Sequence, residues 1–229
     1  MTNRPHTTLF MLMSADGKIS TGVGDDRDFD KDIPKLMHVV HGLQQYYDLE
    51  QKTDLYSWNT GKVMAKVGWN KPKSNTPKTP VSFIIVDNQP HLTKQGIQNL
   101  LDHTQKLIIV TTKSNHPAMN IDNHGLEVIL CPDGINFIKL FQQLKRKGIE
   151  RITVQSGGEM NATLLRSSLI DELSIVVAPM LVGGKTTPTL IDGKQLESPG
   201  DLKQIRSLQL ISAQILNDSY LHLKYKVLN

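Results

Sequence analysis

Cysteine is nearly absent from this chain. Cys131 is the only one among 229 residues, which excludes an internal disulfide and a cysteine-rich zinc site. So few thiols suit a reducing compartment. No apolar run approaches the ~18 residues that would cross a bilayer. The N-terminus lacks the charged-then-apolar order of a secretory signal. A cytoplasmic protein with no membrane partner is expected. Charge of one sign is also scarce, since the formal net charge is only +4. The single basic cluster, Lys145-Arg146-Lys147, closes a helical pattern, where the helix dipole favours cations. No aromatic residues are interleaved with it, so no nucleic-acid partner is expected. The chain contains neither an internal repeat nor a low-complexity tract.

Several familiar motifs are incomplete. Gly183-Gly184-Lys185-Thr186 has the ending of a phosphate loop, but Pro179 stands where the loop's first glycine belongs. Gly22-Val23-Gly24 lacks the third glycine of a dinucleotide fingerprint, with Arg27 in its place. His38 and His41 lie three apart with no third ligand, which fits solvated or capping side chains better than a metal site. No Gly-x-Ser-x-Gly elbow occurs.

What the sequence does hold is an alternation of apolar runs and amphipathic segments. Strands are predicted at 7–13, 54–58, 81–87, 106–111, 126–130, 151–155 and 171–178. Helices are predicted at 33–50, 62–67, 93–102, 136–147 and 158–167, the first with Asp32 or its neighbours as cap and Pro34 in its first turn. Residues 21–32 and 70–80 read as loops. Two late runs, 203–213 and 220–227, read as an antiparallel pair. This order predicts one α/β domain over residues 1–229, with a mostly parallel sheet covered by helices on both faces.

Three glycine turns fall at the C-terminal ends of predicted strands: Asp16-Gly17, Thr60-Gly61 and Gly157-Gly158. Ligands of open α/β sheets bind at such ends, although each turn taken alone also reads as an ordinary loop. Asp-Gly favours a positive φ. Thr60 offers N-cap chemistry. The paired glycines open a helix where backbone can approach a phosphate or ring closely.

The residues around these turns carry a resemblance. Ser14-Ala15-Asp16-Gly17-Lys18-Ile19 resembles a segment of the riboflavin-pathway reductases, which share the dihydrofolate reductase fold. Gly61-Lys62-Val63-Met64-Ala65-Lys66-Val67-Gly68 is similar to the cofactor turn and helix of dihydrofolate reductases, one residue shorter. Gly157-Gly158-Glu159, then Leu164-Leu165, Ile170-Asp171-Glu172-Leu173 and Pro179, resembles the C-terminal signature of the riboflavin-type reductases.

The resemblance implies a three-layer, dihydrofolate reductase-like fold, with a mixed, mostly parallel sheet and a C-terminal antiparallel hairpin. It implies NADPH as cofactor, a small nitrogen heterocycle as substrate and a homodimer. The nearest named substrate is 5-amino-6-(5-phosphoribosylamino)uracil. Cofactor neighbours would be Ser14, Trp58, Thr60, Gly61, Lys62, Thr111, Thr112, Gly157, Gly158 and Glu159, with a cis peptide between Gly157 and Gly158. Trp58 reads equally as a stacking wall or as core. Asp87 also ends a strand on the adenosine side, but its charge would repel a 2′-phosphate unless a cation intervenes. The cofactor would carry the hydride. Asp16, or an acid of the 25–32 loop such as Asp28 or Asp30, would relay a proton, though all these aspartates also suit turns and caps.

The substrate half matches less well. Asp25-Asp26-Arg27-Asp28-Phe29-Asp30-Lys31-Asp32 offers one arginine among five aspartates where the family cradles a phosphoribosyl group. Ser57-Trp58-Asn59-Thr60 lacks two glycines of the usual cofactor turn. The zinc deaminase motifs that often accompany this reductase are absent. Two other readings therefore stand beside it. One is a true dihydrofolate reductase, with Asp32 as its acid. The other is a nucleotide-binding module without catalysis.

Overall fold

The computed structural model describes residues 3–24, 26–73 and 77–228. Asp25 of the aspartate loop and residues 74–76 of the 70–80 loop lie outside them. In chain order the elements are β1 (His6–Ser14), α1 (Phe29–Asp32), α2 (Gln44–Glu50), β2 (Tyr56–Thr60), α3 (Gly61–Lys66), β3 (Ser82–Val86) and α4 (Lys94–His103). They continue with β4 (Leu107–Thr111), β5 (Leu126–Leu130), α5 (Phe137–Arg146), β6 (Arg151–Val154), α6 (Gly158–Arg166), β7 (Glu172–Ala178), β8 (Ser207–Ile215) and β9 (Leu221–Leu228). The residues form two compact units. One is Asp54–Ser156 with the N-terminal residues to Pro5, and the other is His6–Thr53 with Gly157–Asn229.

In the first unit the strand order is β5-β4-β3-β2-β6, every neighbour parallel. β4 is Leu-Ile-Ile-Val-Thr and buried along its whole length, as a strand covered on both faces must be. On one face Ile85 and Ile109 pack with Ile97, Leu100 and Leu101 of α4. Thr93 caps α4 by accepting the Gly96 N–H. On the other face Trp58 is fully buried, its ring 5.1 Å from that of Phe141 of α5. Asn136 caps α5, and Lys145 and Arg146 occupy its last turn, where the dipole favours them. Lys145 is paired with Glu150, and Lys147 with Glu127 at 2.7 Å. The two lysines of the basic cluster are thus held by carboxylates, while Arg146 donates to the Gln142 carbonyl at 3.4 Å.

In the second unit the order is β1-β7-β9-β8. β1 and β7 are parallel, and β9 and β8 close the unit as an antiparallel pair. The expected mixed, mostly parallel architecture with a C-terminal hairpin is the one that forms. The predicted helix 33–50 is a correction. The segment breaks into α1, a 3-10 turn at Ile33–Lys35, another at Val40–Gly42, and α2. Pro34 cannot donate a helical N–H, and Leu36 is extended at φ −102°, ψ 96°. Packing then overrides the helical spacing. Tyr46 stacks on Phe10 with centroids 5.1 Å apart, and the Tyr220 hydroxyl donates to the Val39 carbonyl at 2.7 Å. Asp28, not Asp32, caps α1 through the Asp30 N–H.

Candidate active site

In the first unit the candidate residues lie at the C-terminal ends of β2, β3 and β4. Thr60 ends β2 and caps α3, accepting the Val63 N–H at 3.4 Å. Lys62 is exposed, and Gly61 is buried. Thr111 is buried. Its hydroxyl donates to the Asp87 carbonyl at 2.8 Å, and the Thr112 N–H donates to Asn88 Oδ1 at 3.1 Å. Trp58 lies beneath these ends, between Phe137 and Phe141, and its indole N–H is buried without a partner. Its place is the core side of the two alternatives.

Asp87, placed by the sequence on the adenosine side, is the organising group of these strand ends, and its partner His116 is what sequence reasoning missed. The Asp87 carboxylate is fully buried and accepts from the backbone N–H of His91 (3.1 Å) and Leu92 (3.0 Å). It also meets His91 Nδ1 at 3.0 Å and His116 Nε2 at 3.1 Å. Burial pushes its pKa up, but the bonds from His116, His91 and Leu92 outweigh that and hold it below the ordinary value. His116 is also buried. Its Nδ1 accepts the Ala118 N–H at 3.1 Å, so the ring hydrogen sits on Nε2 and is donated to Asp87. A carboxylate so occupied is no direct contact for a ribose or a phosphate. His116 lies 29 residues downstream, beyond any local pattern.

In the second unit, Ser14 and Asp16 form a staple. The Ser14 hydroxyl donates to Asp16, and Ser14 Oγ accepts the Lys18 N–H at 2.9 Å. Asp16 also accepts the N–H groups of Gly183 (2.6 Å) and Val182 (3.1 Å). Gly17 has φ 80°, the positive value that Asp-Gly predicts. These bonds, from Ser14 first and then Gly183, hold the Asp16 carboxyl down at about 2. Such a group is a weak proton donor at neutral pH. Lys18 ties the same loop from its other side, donating to the carbonyls of Gly184 (2.7 Å) and Thr187 (3.1 Å).

Gly157 and Gly158 differ sharply. Gly157, the N-cap of α6, is extended at φ −71°, ψ 159°, and a Cβ there would meet nothing within 4 Å. A Cβ on Gly158 would stand 2.3 Å from the Thr189 carbonyl and from Asp192 Oδ2. The close neighbour of Gly158 is therefore the protein's own 189–192 loop, while open space lies at Gly157. The expected cis peptide between them is a correction, because no cis bond occurs among the described residues. Gly157 already leads into α6 through a trans link. Glu159 is exposed in the first turn, where the helix dipole favours a negative charge.

The two remaining acids have opposite settings. Asp30 is exposed as a residue, and desolvation of its carboxyl is the largest influence on its proton affinity. That desolvation, aided by the charge of Asp28, raises its pKa against the bond from the Tyr47 hydroxyl, 2.8 Å long. Asp32 is buried and binds Lys35 Nζ at 2.8 Å and the Thr21 hydroxyl, which lower its pKa to about 2. It closes the 21–32 loop as an ion and is poorly suited to protonate a pteridine. The stability Asp32 adds is complete above the ordinary value of 3.8 and is lost as pH falls toward about 2. Asp32→Asn should therefore flatten the acid limb of stability in that window. Urea midpoints taken at successive pH values would show it, and an unchanged limb would contradict this role.

Among the described residues no group of three or more side chains could hold a metal, and His38 and His41 are exposed. Among the described residues no helix is long and apolar enough to cross a membrane.

Comparison with known proteins agrees with this architecture. Residues 5–217 match the model of the RibD C-terminal domain family. A 2,5-diamino-6-ribosylamino-4(3H)-pyrimidinone 5′-phosphate reductase of Methanothermobacter thermautotrophicus is 24% identical over 202 residues, covering 86% of this chain and 88% of that protein. The riboflavin biosynthesis protein RibD of Actinobacillus pleuropneumoniae is 26% identical over 95% of this chain, which spans only 57% of RibD. Among solved structures, Acinetobacter baumannii RibD superposes with a TM-score of 0.70 at 16% identity, over 100% of this chain and 59% of that one. The structural likeness carries the fold. The sequence match, running through all three glycine turns, carries the lineage: the chain belongs to the RibD C-terminal domain family.

Proposed function

We propose that this chain is an NADPH-dependent reductase of a pyrimidine ribosylamine phosphate, in one functional domain. The observation that carries this reading is coverage. The chain accounts for 88% of a relative named for reducing 2,5-diamino-6-ribosylamino-4(3H)-pyrimidinone 5′-phosphate, so that compound is the first candidate substrate. The corresponding uracil, 5-amino-6-(5-phosphoribosylamino)uracil, is the second, favoured by the RibD relatives, of which the chain spans little more than half.

The residues present fit a nicotinamide nucleotide. Gly157 leaves an open cradle before α6. Thr60, Gly61, Thr111 and Thr112 gather at adjacent strand ends, with the exposed Lys62 as a point charge for phosphate. In the second unit Ser14 holds the Asp16 turn through its hydroxyl, Glu159 lies in the first turn of α6, and Gly158 brings the 189–192 loop against α6. When bound, the reduced nicotinamide supplies a hydride. In the open form of a ribosylamine, C1′ is doubly bonded to nitrogen. Reduction places the hydride on C1′ and a proton on nitrogen. Asp30, with its raised pKa, is the acid that would hold this proton, and Asp16 keeps the turn in place.

The enzyme is further read as a cytoplasmic homodimer. β8 ends its sheet with Leu208, Leu210, Ile211 and Ile215 exposed, a surface that suits a second copy of the chain. The test is to titrate the purified protein with NADPH and NADH by nicotinamide fluorescence, then add each pyrimidine and follow nicotinamide oxidation. NADPH binding followed by turnover of one pyrimidine is expected. Folded protein that binds neither nucleotide would overturn the reading, and a monomer in sedimentation would overturn the dimer.

A further inference from the structure

Three strand ends of the first unit meet at one buried residue, Asp87. The Asp87 carboxyl lies against the β2–α3 turn so closely that a Cβ on Gly61 would stand 2.2 Å from its Oδ1. Its carboxylate gathers the N–H groups of the β3–α4 connection, and its main-chain carbonyl takes the Thr111 hydroxyl at the end of β4. His116 holds this carboxylate from the connection after β4. His91 lies over it with a side chain 34% exposed, whereas Asp87 and His116 show no exposed side chain. Neither buried group touches solvent, and neither has a step in the proposed reaction.

We infer that His116 is a positioning residue for the nucleotide seat, acting through Asp87 to fix the Gly61 turn and Thr111. The inference rests on the cofactor reading given above. The chemistry of the ring supports it. Nδ1 caps the 3-10 turn at Pro117–Asn120, and Nε2–H orients Asp87. One tautomer thus locks two connections together. A purely structural cap would need only Nδ1.

That division gives the experiment. His116→Asn keeps a short acceptor for the Ala118 N–H but cannot reach Asp87. His116→Gln reaches toward Asp87 with an amide N–H and gives up the cap. The full chain and both variants are titrated with NADPH, and their melting temperatures are recorded. His116→Asn should weaken NADPH binding on the order of tenfold, the worth of a hydrogen bond to a charged group. His116→Gln should bind within about twofold of the wild type, whatever its melting temperature. Equal affinity in all three proteins overturns the inference, and so does affinity that simply follows melting temperature. Wild-type protein that binds no NADPH overturns the cofactor reading and this inference with it. Should neither variant fold, nitrogen NMR of the wild-type His116 ring decides. A shift on adding NADPH is expected, and an unmoved ring rejects the proposal.

Discussion

Asp30→Asn should lower turnover by about 10²–10⁴-fold, the range for loss of a general acid, while NADPH affinity stays unchanged. A hydride alone leaves the substrate nitrogen unprotonated, so the reaction needs a proton donor. Asp16 and Asp32 sit at about 2 and are ionised near neutral pH. Asp30 is displaced upward by desolvation. The Tyr47 hydroxyl donates to its Oδ1 at 2.8 Å, so Oδ2 is the oxygen free of that bond. Asparagine preserves an acceptor for Tyr47 and removes only the proton. The wild-type rate should fall as pH rises through the raised carboxyl pKa, and the variant should lose that limb. Wild-type turnover in Asp30→Asn would assign protonation to another donor.

Gly158→Ala should cost roughly 2–3 kcal/mol of stability, as overpacking does. In a chain of this size that is a drop in melting temperature on the order of 5–10 °C. The added methyl would stand 2.3 Å from a backbone carbonyl, that of Thr189, which moves only with its loop. That loop is tied down by the Asp192 N–H to the Gly158 carbonyl at 3.0 Å and by Asn161 Nδ2 to the Leu190 carbonyl at 2.9 Å. Gly157→Ala should leave the melting temperature unchanged, because its φ and ψ suit alanine and its surroundings are open. It should instead weaken NADPH binding, since the methyl would fill the cradle. Calorimetry and nucleotide titration on the pair separate the two roles. A stable Gly158→Ala would mean the 189–192 loop yields, and undiminished binding by Gly157→Ala would remove that glycine from the seat.

The contrast within this glycine pair shows how far the sequence could be read. Strands β3, β4 and β5 and helices α4 and α5 were legible because apolar spacing and cap residues decide them locally, as at Thr93 and Asn136. The 33–50 segment was misread because its helical spacing competes with Pro34 and with partners far away in sequence, Phe10 and Tyr220. The candidate turns could be located but not interpreted. Nothing near Gly158 announces that residues 189–192 come back against it. Nothing near Asp87 announces His116. The state of each aspartate depends on hydroxyl and N–H donors that the fold delivers, so Asp16, Asp30 and Asp32 look alike in sequence and differ in proton affinity.

Strand β8 leaves the free chain with an open, apolar edge. From Ser207 to Ile215 it contains no charged residue and no proline, and Ile215 is 88% exposed. It pairs on one side only, with β9. Unpaired edges of this composition template cross-β growth unless something interrupts them. The interruption available is the register shift between Leu210 and Ser212, with Lys203 and Arg206 as flanking gatekeepers. The bulge and the two flanking cations are thus the features that guard this edge, and removing them is expected to lower solubility during expression.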